Sequence, residues 1–389
     1  VLAMYKRGAI EREQERLRRN AQLYIAKQKL IKNKGKPMNL SDEQNAAYGK
    51  IRSWLKNPFQ KRFVLAGYAG TGKSTLAGVL SEELGNVRFC AYTGKAANVL
   101  RNKGCSADTV HGSIYKLVDE DRNGKPIFKL DLDSDIRKAS CVIVDEFSML
   151  PKEIIDDLEY LAKKVLYLGD PFQLPPVSGK CSLEPDLVLT QVHRQALDSP
   201  ILRAATDVRE GRGLGFCDWG DFVYKPRRET MSDEFIKADQ VIVGYNKTRQ
   251  SWNQRFREIH GFSGVLPKKG EKLICLRNNR EIGLFNGMIE NASDDSRRLD
   301  EQTCEINFGR FYNLEAYSGY FTGNKLPERQ SKEVQHFDFS YVITAHKSQG
   351  SEFDNVVVFN EPIGRGEERQ RWQYTALTRA SKKCVLVEP

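Results

Sequence analysis

Apolar residues in this chain come in short unbroken runs more often than in alternation. "FVLAG" (Phe63–Gly67), "VRFCAYT" (Val87–Thr93), "CVIVDE" (Cys141–Glu146) and "VLYLGD" (Val165–Asp170) form one set; "QVIVGYN", "YVITAH", "NVVVF" and "KCVLVEP" form another. An unbroken run predicts a strand covered on both faces, and such strands belong to parallel sheets flanked by helices. Two sets therefore predict two α/β domains. Two stretches depart from this pattern. "YKLVDEDRNGKPIFKLD" (Tyr115–Asp131) is a pair of alternating runs around Asn123-Gly124, the signature of a type I′ hairpin. "GEKLICLRNNREIGLFNGMIE" followed by "CEINFGRFYNLEAYSGYF" reads as short strands, turns and aromatics between about Lys269 and Phe337, with "DDSRRLDEQT" as a polar excursion. No repeat of solenoid length is present.

Composition changes this picture little. A chain of 389 residues with 40% hydrophobic content has material for two or three cored domains. No run is long enough to span a membrane, and the basic start lacks the apolar core of a secretory signal, so the expectation is a cytoplasmic protein without membrane contact. Eight scattered cysteines without a C-x-x-C pair indicate neither a zinc site nor a disulfide framework.

Charge adds more. The chain carries a net +10, most of it from eleven Lys/Arg against three acids in Val1–Pro37, which predicts a polyanionic partner or a solvated basic leader. Helix-forming composition runs to about Ile31 and is broken by Gly35 and Pro37.

The first set of strands carries recognisable chemistry. "GYAGTGKS" (Gly67–Ser74) fits G-x-x-x-x-G-K-[ST] directly after a strand and before the helical "TLAGVLSEEL". Backbone N–H groups of Gly67, Ala69, Gly70, Thr71, Gly72, Lys73, Ser74 and Thr75 can close around phosphate oxygens. Lys73 is placed to reach the β- and γ-phosphates and Ser74 to ligate Mg²⁺. Asp145 and Glu146 end a buried strand, where two adjacent carboxylates are costly unless used. Asp145 reads as a partner of Mg²⁺, either directly or behind its ligands, and Glu146 as the group that orients and deprotonates water.

Further motifs narrow the class. "YLGDPFQLPPV" (Tyr167–Val177), "AYTGKAA" (Ala91–Ala97), "ADTVHGS" (Ala107–Ser113), "ITAHKSQGSEF" (Ile343–Phe353) and "YTALTRA" (Tyr374–Ala380) resemble, in order, the motif series of superfamily 1 helicases. "GDxxQLPPV" and "HKSQG" are similar to the RecD-like and Dda-like branch, whose members move 5′→3′ on DNA.

The resemblance runs from about Leu40 to the C-terminus and implies two RecA-like domains with parallel sheets, ATP between them and single-stranded DNA across both. It implies that Gln173, after another buried strand, is a catalytic residue and that Arg194 and Arg379 reach the γ-phosphate. Gln349, Gly350 and Glu352 would turn toward the nucleotide, and Gln44 would read adenine, although Ser41-x-x-Gln44 is equally a capping box. Thr93, Thr109, His111, Thr344 and His346 fall where the family contacts DNA. The hairpin occupies the slot of a strand-splitting pin with Ile127 or Phe128 near its tip, and the later insertion resembles an SH3-like barrel.

The implied boundaries are a basic arm (1–38), a first RecA-like domain (39–112 and 139–185), a pin (113–138), a second RecA-like domain (186–268 and 338–389) and the barrel (269–337). The implied activity is an ATP- and Mg²⁺-dependent DNA helicase. It would act as a monomer on single strands and single-strand/duplex junctions, with replication or recombination proteins as further partners. A translocase that barely unwinds, an RNA motor and a non-motor P-loop phosphotransferase remain open.

Overall fold

The computed structural model describes residues 40–102, 104–120, 126–175, 183–192, 198–229, 232–279, 282–322 and 334–388. The basic arm, the Asn123-Gly124 turn and Arg194 lie outside the described residues.

The unbroken apolar runs form the middles of two six-stranded sheets. The first contains β1 (Arg62–Gly67), β2 (Val87–Ala91), β3 (Ala107–Thr109), β6 (Cys141–Asp145), β7 (Val165–Gly169) and β8 (Leu187–Leu189). Its order is β3-β2-β6-β7-β1-β8, every pair parallel. Val64, Leu65, Val142, Ile143, Val165 and Leu166 are almost fully buried, as strands covered on both faces require. β8 pairs with β1 through Leu65↔Leu187 to Gly67↔Leu189, so the first sheet continues past the boundary expected at 185/186. The physical reason is that β1 would otherwise be an open edge beside the P-loop.

The second sheet contains β9 (Cys217–Asp218), β10 (Phe222–Pro226), β11 (Gln240–Val243), β18 (Val342–Thr344), β19 (Phe353–Phe359) and β20 (Ala380–Glu388). Its order is β18-β11-β19-β20-β10-β9, parallel apart from the short edge strand β9.

The two departures from the pattern become two insertions. β4 (Tyr115–Glu120) and β5 (Pro126–Leu130) pair antiparallel, Tyr115 opposite Leu130. Between the strands of the second sheet lie two three-stranded antiparallel sheets. One holds β12 (Lys272–Cys275), β13 (Ile289–Asn291) and β17 (Phe337–Phe339); the other holds β14 (Arg297–Arg298), β15 (Thr303–Phe308) and β16 (Phe311–Tyr317).

They share one core, with Leu273, Ile306, Phe308 and Phe337 fully buried, and isolated bridges Ala292↔Phe308 and Ala316↔Gln335 tie their edges. The insertion closes with β17 at Phe339, two residues beyond the expected end, because β17 pairs with β12. The segment expected to be only a polar excursion contributes β14, held by Arg297↔Glu305 and Arg298↔Cys304.

Candidate functional site

Because β1, β6 and β7 are parallel neighbours, the segments that follow them emerge on one edge of the first sheet. The loop after β1 turns at Gly70 (φ 79°) and Gly72 (φ 78°), backbone that residues with a Cβ rarely adopt. At Gly67 a Cβ would stand 2.7 Å from Thr71 Oγ1, so the loop closes this tightly only around glycine. Lys73 Nζ donates to the carbonyl oxygens of Gly67 (2.6 Å) and Tyr68 (3.0 Å), folding the ammonium onto its own loop. Ser74 and Thr75 open the helix Lys73–Leu84 with exposed side chains.

Gln44 does both of the jobs a capping box requires: its Oε1 accepts from Ser41 N–H (3.0 Å) and its own N–H donates to Ser41 Oγ (3.3 Å). Its Nε2 donates to Thr71 O (3.2 Å) and Gly72 O (3.4 Å). The side chain is thus committed to buttressing the phosphate loop, and reading adenine would require it to exchange one of these bonds.

At the end of β6, Glu146 adopts a left-handed backbone (φ 60°), one of two non-glycine residues to do so among the described residues. Strain of this kind persists where the surroundings over-determine it, commonly at working sites. The Glu146 backbone N–H donates to Asp145 Oδ1 (3.1 Å), which holds the Asp145 carboxylate. Burial pushes the Glu146 carboxyl up to about 7; Arg379 and Lys73 pull it down, and Asp145 and Asp170 push it further up.

The segment after β7 and the second sheet supply the remaining parts. Gln173 donates from its amide nitrogen to Glu146 Oε2 (3.2 Å) and accepts at its amide oxygen from Arg379 Nη2 (3.1 Å), the orientation that satisfies both neighbours. Arg379 is buried at the end of the helix Glu367–Leu377 and is aimed by bonds to Thr375 O (3.1 Å) and Ser351 O (3.2 Å). Gln349 Nε2 donates to Leu174 O (2.7 Å), and Thr375 Oγ1 accepts from Leu174 N–H (2.9 Å). A Cβ on Gly350 (φ 67°) would stand 3.2 Å from both Thr93 Oγ1 and Ala96 Cβ, so the two halves touch here. Glu352 is exposed.

Sequence reasoning missed Tyr374 and Asp170. Ala69 N–H donates to the Tyr374 hydroxyl (2.8 Å), which donates to Asp170 Oδ2 (2.6 Å). Both residues lay inside motifs that were read for other members.

Next to this site is a cleft of about 1100 Å³ lined from both halves and both insertions. Thr93, His111 and Phe128 face it from one side, and His346 and Gln349 from the other. His111 packs against Tyr115 (centroids 4.6 Å) and an edge-on Phe128 (4.7 Å).

Two expected strand-contacting residues are instead turned inward. Thr109 and Thr344 are buried helix caps, accepting from Gly112 N–H (3.0 Å) and Lys347 N–H (3.4 Å) respectively. Thr93 also caps, accepting from Ala96 N–H (3.2 Å), yet remains on the cleft wall. The cleft adds residues that the motifs did not single out: Tyr92, Lys116, Arg277, Asn278 and Lys347. Burial lowers the Lys347 ammonium to about 8, with nearby Arg249 acting in the same direction, and burial also lowers His346.

Comparisons with known proteins match this geometry. An AAA domain model matches residues 39–219 and a UvrD-like helicase C-terminal domain model matches residues 339–387. The ATP-dependent RecD2 DNA helicase of Deinococcus radiodurans is 30% identical over 380 residues, which cover 88% of this chain and 48% of that protein. These matches support the resemblance of both halves to RecD-like superfamily 1 helicases.

Another relative is the ATP-dependent DNA helicase RRM3 of Saccharomyces cerevisiae, 25% identical over 314 residues, 65% of this chain and 42% of that protein. The chain spans between about a third and a half of the length of the first curated relatives it matches, at 48%, 34% and 36%. Among solved structures, Bacteroides Pif1 bound to ssDNA superposes with a TM-score of 0.53 at 19% identity, covering 90% of this chain and 92% of that one. A Pif1 structure on DNA unwinding at forked dsDNA gives 0.55 at 19% identity with the same coverage. Both share the fold of this chain. No helix among the described residues is long and apolar enough to cross a membrane.

Proposed function

We propose that this RecD-like chain is an ATP-driven DNA helicase that moves 5′→3′ along single-stranded DNA and separates the duplex ahead of it. The observation that carries the reading is the bridge Glu146–Gln173–Arg379: a carboxylate of one sheet is joined to an arginine of the other through a single amide. Hydrolysis then depends on the two sheets meeting, and the cleft beside the bridge is lined by both. A non-motor phosphotransferase has no use for either feature.

In this reading the Gly67–Ser74 loop and Lys73 hold the β- and γ-phosphates, and Glu146 takes a proton from the attacking water. Arg379, aided by Arg194, supplies positive charge as the transition state develops it. The oxygen donors fit a hard divalent ion: Asp145, Glu146 and Asp170 crowd like charges that Lys73 and Arg379 partly offset, and Ser74 offers an exposed hydroxyl. Mg²⁺ held by Ser74, Asp145 and the substrate phosphates would neutralise charge on the transferring group.

We assign the cleft to the single strand, with His111 and His346 as strand contacts and Lys347, Lys116 and Arg277 as phosphate partners. Backbone contacts dominate such grips, so binding should be indifferent to sequence and sensitive to salt. The hairpin is proposed as the strand-splitting pin, since Ile127 and Phe128 are exposed by 39% and 41% respectively. The two three-stranded sheets are proposed as an SH3-like barrel. RecD2 and RRM3 are named ATP-dependent DNA helicases, which supports DNA over RNA.

The test is unwinding of duplexes with 5′ or 3′ single-stranded tails in the presence of ATP and Mg²⁺. Opening of the 5′-tailed duplex alone is expected. Opening of neither, with strong DNA-stimulated hydrolysis, would identify a translocase; opening of the 3′-tailed duplex alone would contradict the direction.

A further inference from the structure

The P-loop is held by two residues of the second half that no motif role accounts for. Tyr374 is buried in the helix Glu367–Leu377, its ring edge-on to Phe172 (centroids 5.4 Å) within the core of the second sheet. Its hydroxyl makes two bonds into the first half, accepting from Ala69 N–H (2.8 Å) and donating to Asp170 Oδ2 (2.6 Å). Beside it, the Arg209 guanidinium lies 3.7 Å from the ring centroid of Tyr68, a cation–π contact on the residue preceding Ala69.

We propose that Tyr374 is a positioning residue, a latch whose hydroxyl competes with the γ-phosphate of ATP for the Ala69 N–H and so ties nucleotide entry to the seating of the two sheets. This rests on the reading of Gly67–Ser74 as the ATP site.

The argument is one of donor counting. Ala69 has a single backbone N–H, and phosphate-binding loops work through such groups. An N–H directed at the Tyr374 oxygen at 2.8 Å is not at the same time directed at a phosphate oxygen. The second bond of the hydroxyl shows which phosphate is at stake. Asp170 accepts from the Gln173 N–H (3.4 Å) at its carbonyl, and the Gln173 amide reaches Glu146, the carboxylate assigned to the hydrolytic water, so the latch stands at the γ-phosphate end of the loop.

A triphosphate must therefore displace the hydroxyl, whereas a diphosphate need not. Displacement breaks one of the bonds that seat the helix Glu367–Leu377 against the first half; Arg379 follows this helix by two residues and is bonded to its Thr375 carbonyl. Nucleotide occupancy and domain seating thus share one hydrogen bond, and by linkage each biases the other.

The test uses the full chain as wild type, Tyr374→Phe and Lys73→Ala. Affinities for a fluorescent non-hydrolysable ATP analogue and for the matching ADP are measured with Mg²⁺, alongside thermal melting. Phenylalanine keeps the ring and its packing. The expected result for Tyr374→Phe is triphosphate affinity tightened roughly fivefold, the ratio that one neutral hydrogen bond supplies, with diphosphate affinity changed by less than twofold. A merely structural hydroxyl would lower the melting temperature and move both nucleotides alike, or neither, and either outcome overturns the latch. If Lys73→Ala abolishes wild-type binding while Tyr374→Phe leaves the triphosphate unchanged, the ATP site stands and the latch falls. If the wild type binds no nucleotide, both fall. Hydrogen exchange of Tyr68–Thr71 is a second measure on the same proteins: faster exchange in Tyr374→Phe supports the latch, and equal exchange overturns it.

Discussion

Glu146 has its proton contested by its neighbours. Burial, Asp145 and Asp170 favour the neutral acid, while Arg379 and Lys73 favour the carboxylate, and the balance lies near 7. A base works only when ionised, so the sign is fixed. Below about 7 the group holds its proton and cannot accept another from water; above it the carboxylate is available. In the unliganded enzyme, kcat/KM for ATP should therefore rise with pH through a limb near neutrality, as read from initial rates across pH 5.5–8.5 in buffers of constant ionic strength, on the order of tenfold per unit on the acid side. Glu146→Gln should bind Mg²⁺–ATP nearly as the wild type does and hydrolyse it at least 100-fold more slowly, on the order of a general base's contribution. Collapse of affinity with chemistry spared would mean that Asp145 and Glu146 have exchanged roles. Gln44 illustrates what a residue type alone leaves open: its spacing from Ser41 gave the cap, but its bonds to Thr71 and Gly72 depend on a loop 27 and 28 residues away.

The element with the most divided duties is Thr344–Phe353. Thr344 and His346 stand two positions apart, and sequence alone treats them as a pair of strand contacts. The short helix Ala345–Ser348 separates them: Thr344 turns inward to cap it and His346 faces the cleft. The motif told which segment matters, but not which side chains the local hydrogen bonds engage within it; Thr109 likewise spends its hydroxyl on a helix cap. Substitutions should therefore diverge. Thr344→Ala should cost about 1 kcal/mol of stability, typical of a lost cap, seen as a lower denaturation midpoint. His346→Ala should melt like the wild type yet show a lower maximal stimulation of ATP hydrolysis by DNA. DNA can speed hydrolysis only through contacts that differ between open and closed clefts. Equal maximal stimulation at saturating DNA would reduce His346 to a binding residue.

At the scale of the molecule, both sheets were legible because a strand covered on two faces writes an unbroken apolar run, as in "CVIVD" and "VLYLG". The edge strand β8 is three residues long and its "LVL" carries too little pattern to assign it to the first sheet. Contacts across the cleft were not legible either. Gln349 with Leu174 and Tyr374 with Ala69 are separated by 175 and 305 residues, and no periodicity links them. The charge of the chain is concentrated in Val1–Pro37, and removing this arm should weaken DNA binding and flatten its dependence on salt, with hydrolysis intact. An unchanged slope of log affinity against log salt would make the arm a solvated leader.

The central claim is that ATP chemistry and strand grip are one assembly, built across two sheets by Glu146, Gln173 and Arg379 beside the shared cleft. The most direct measurement is the steady-state rate of ATP hydrolysis by the full chain as oligothymidine is titrated from zero to saturation. The account predicts slow hydrolysis alone and at least a tenfold rise with DNA, since the strand would favour the closed cleft by about 1.4 kcal/mol or more. A rate indifferent to DNA at every concentration would contradict it.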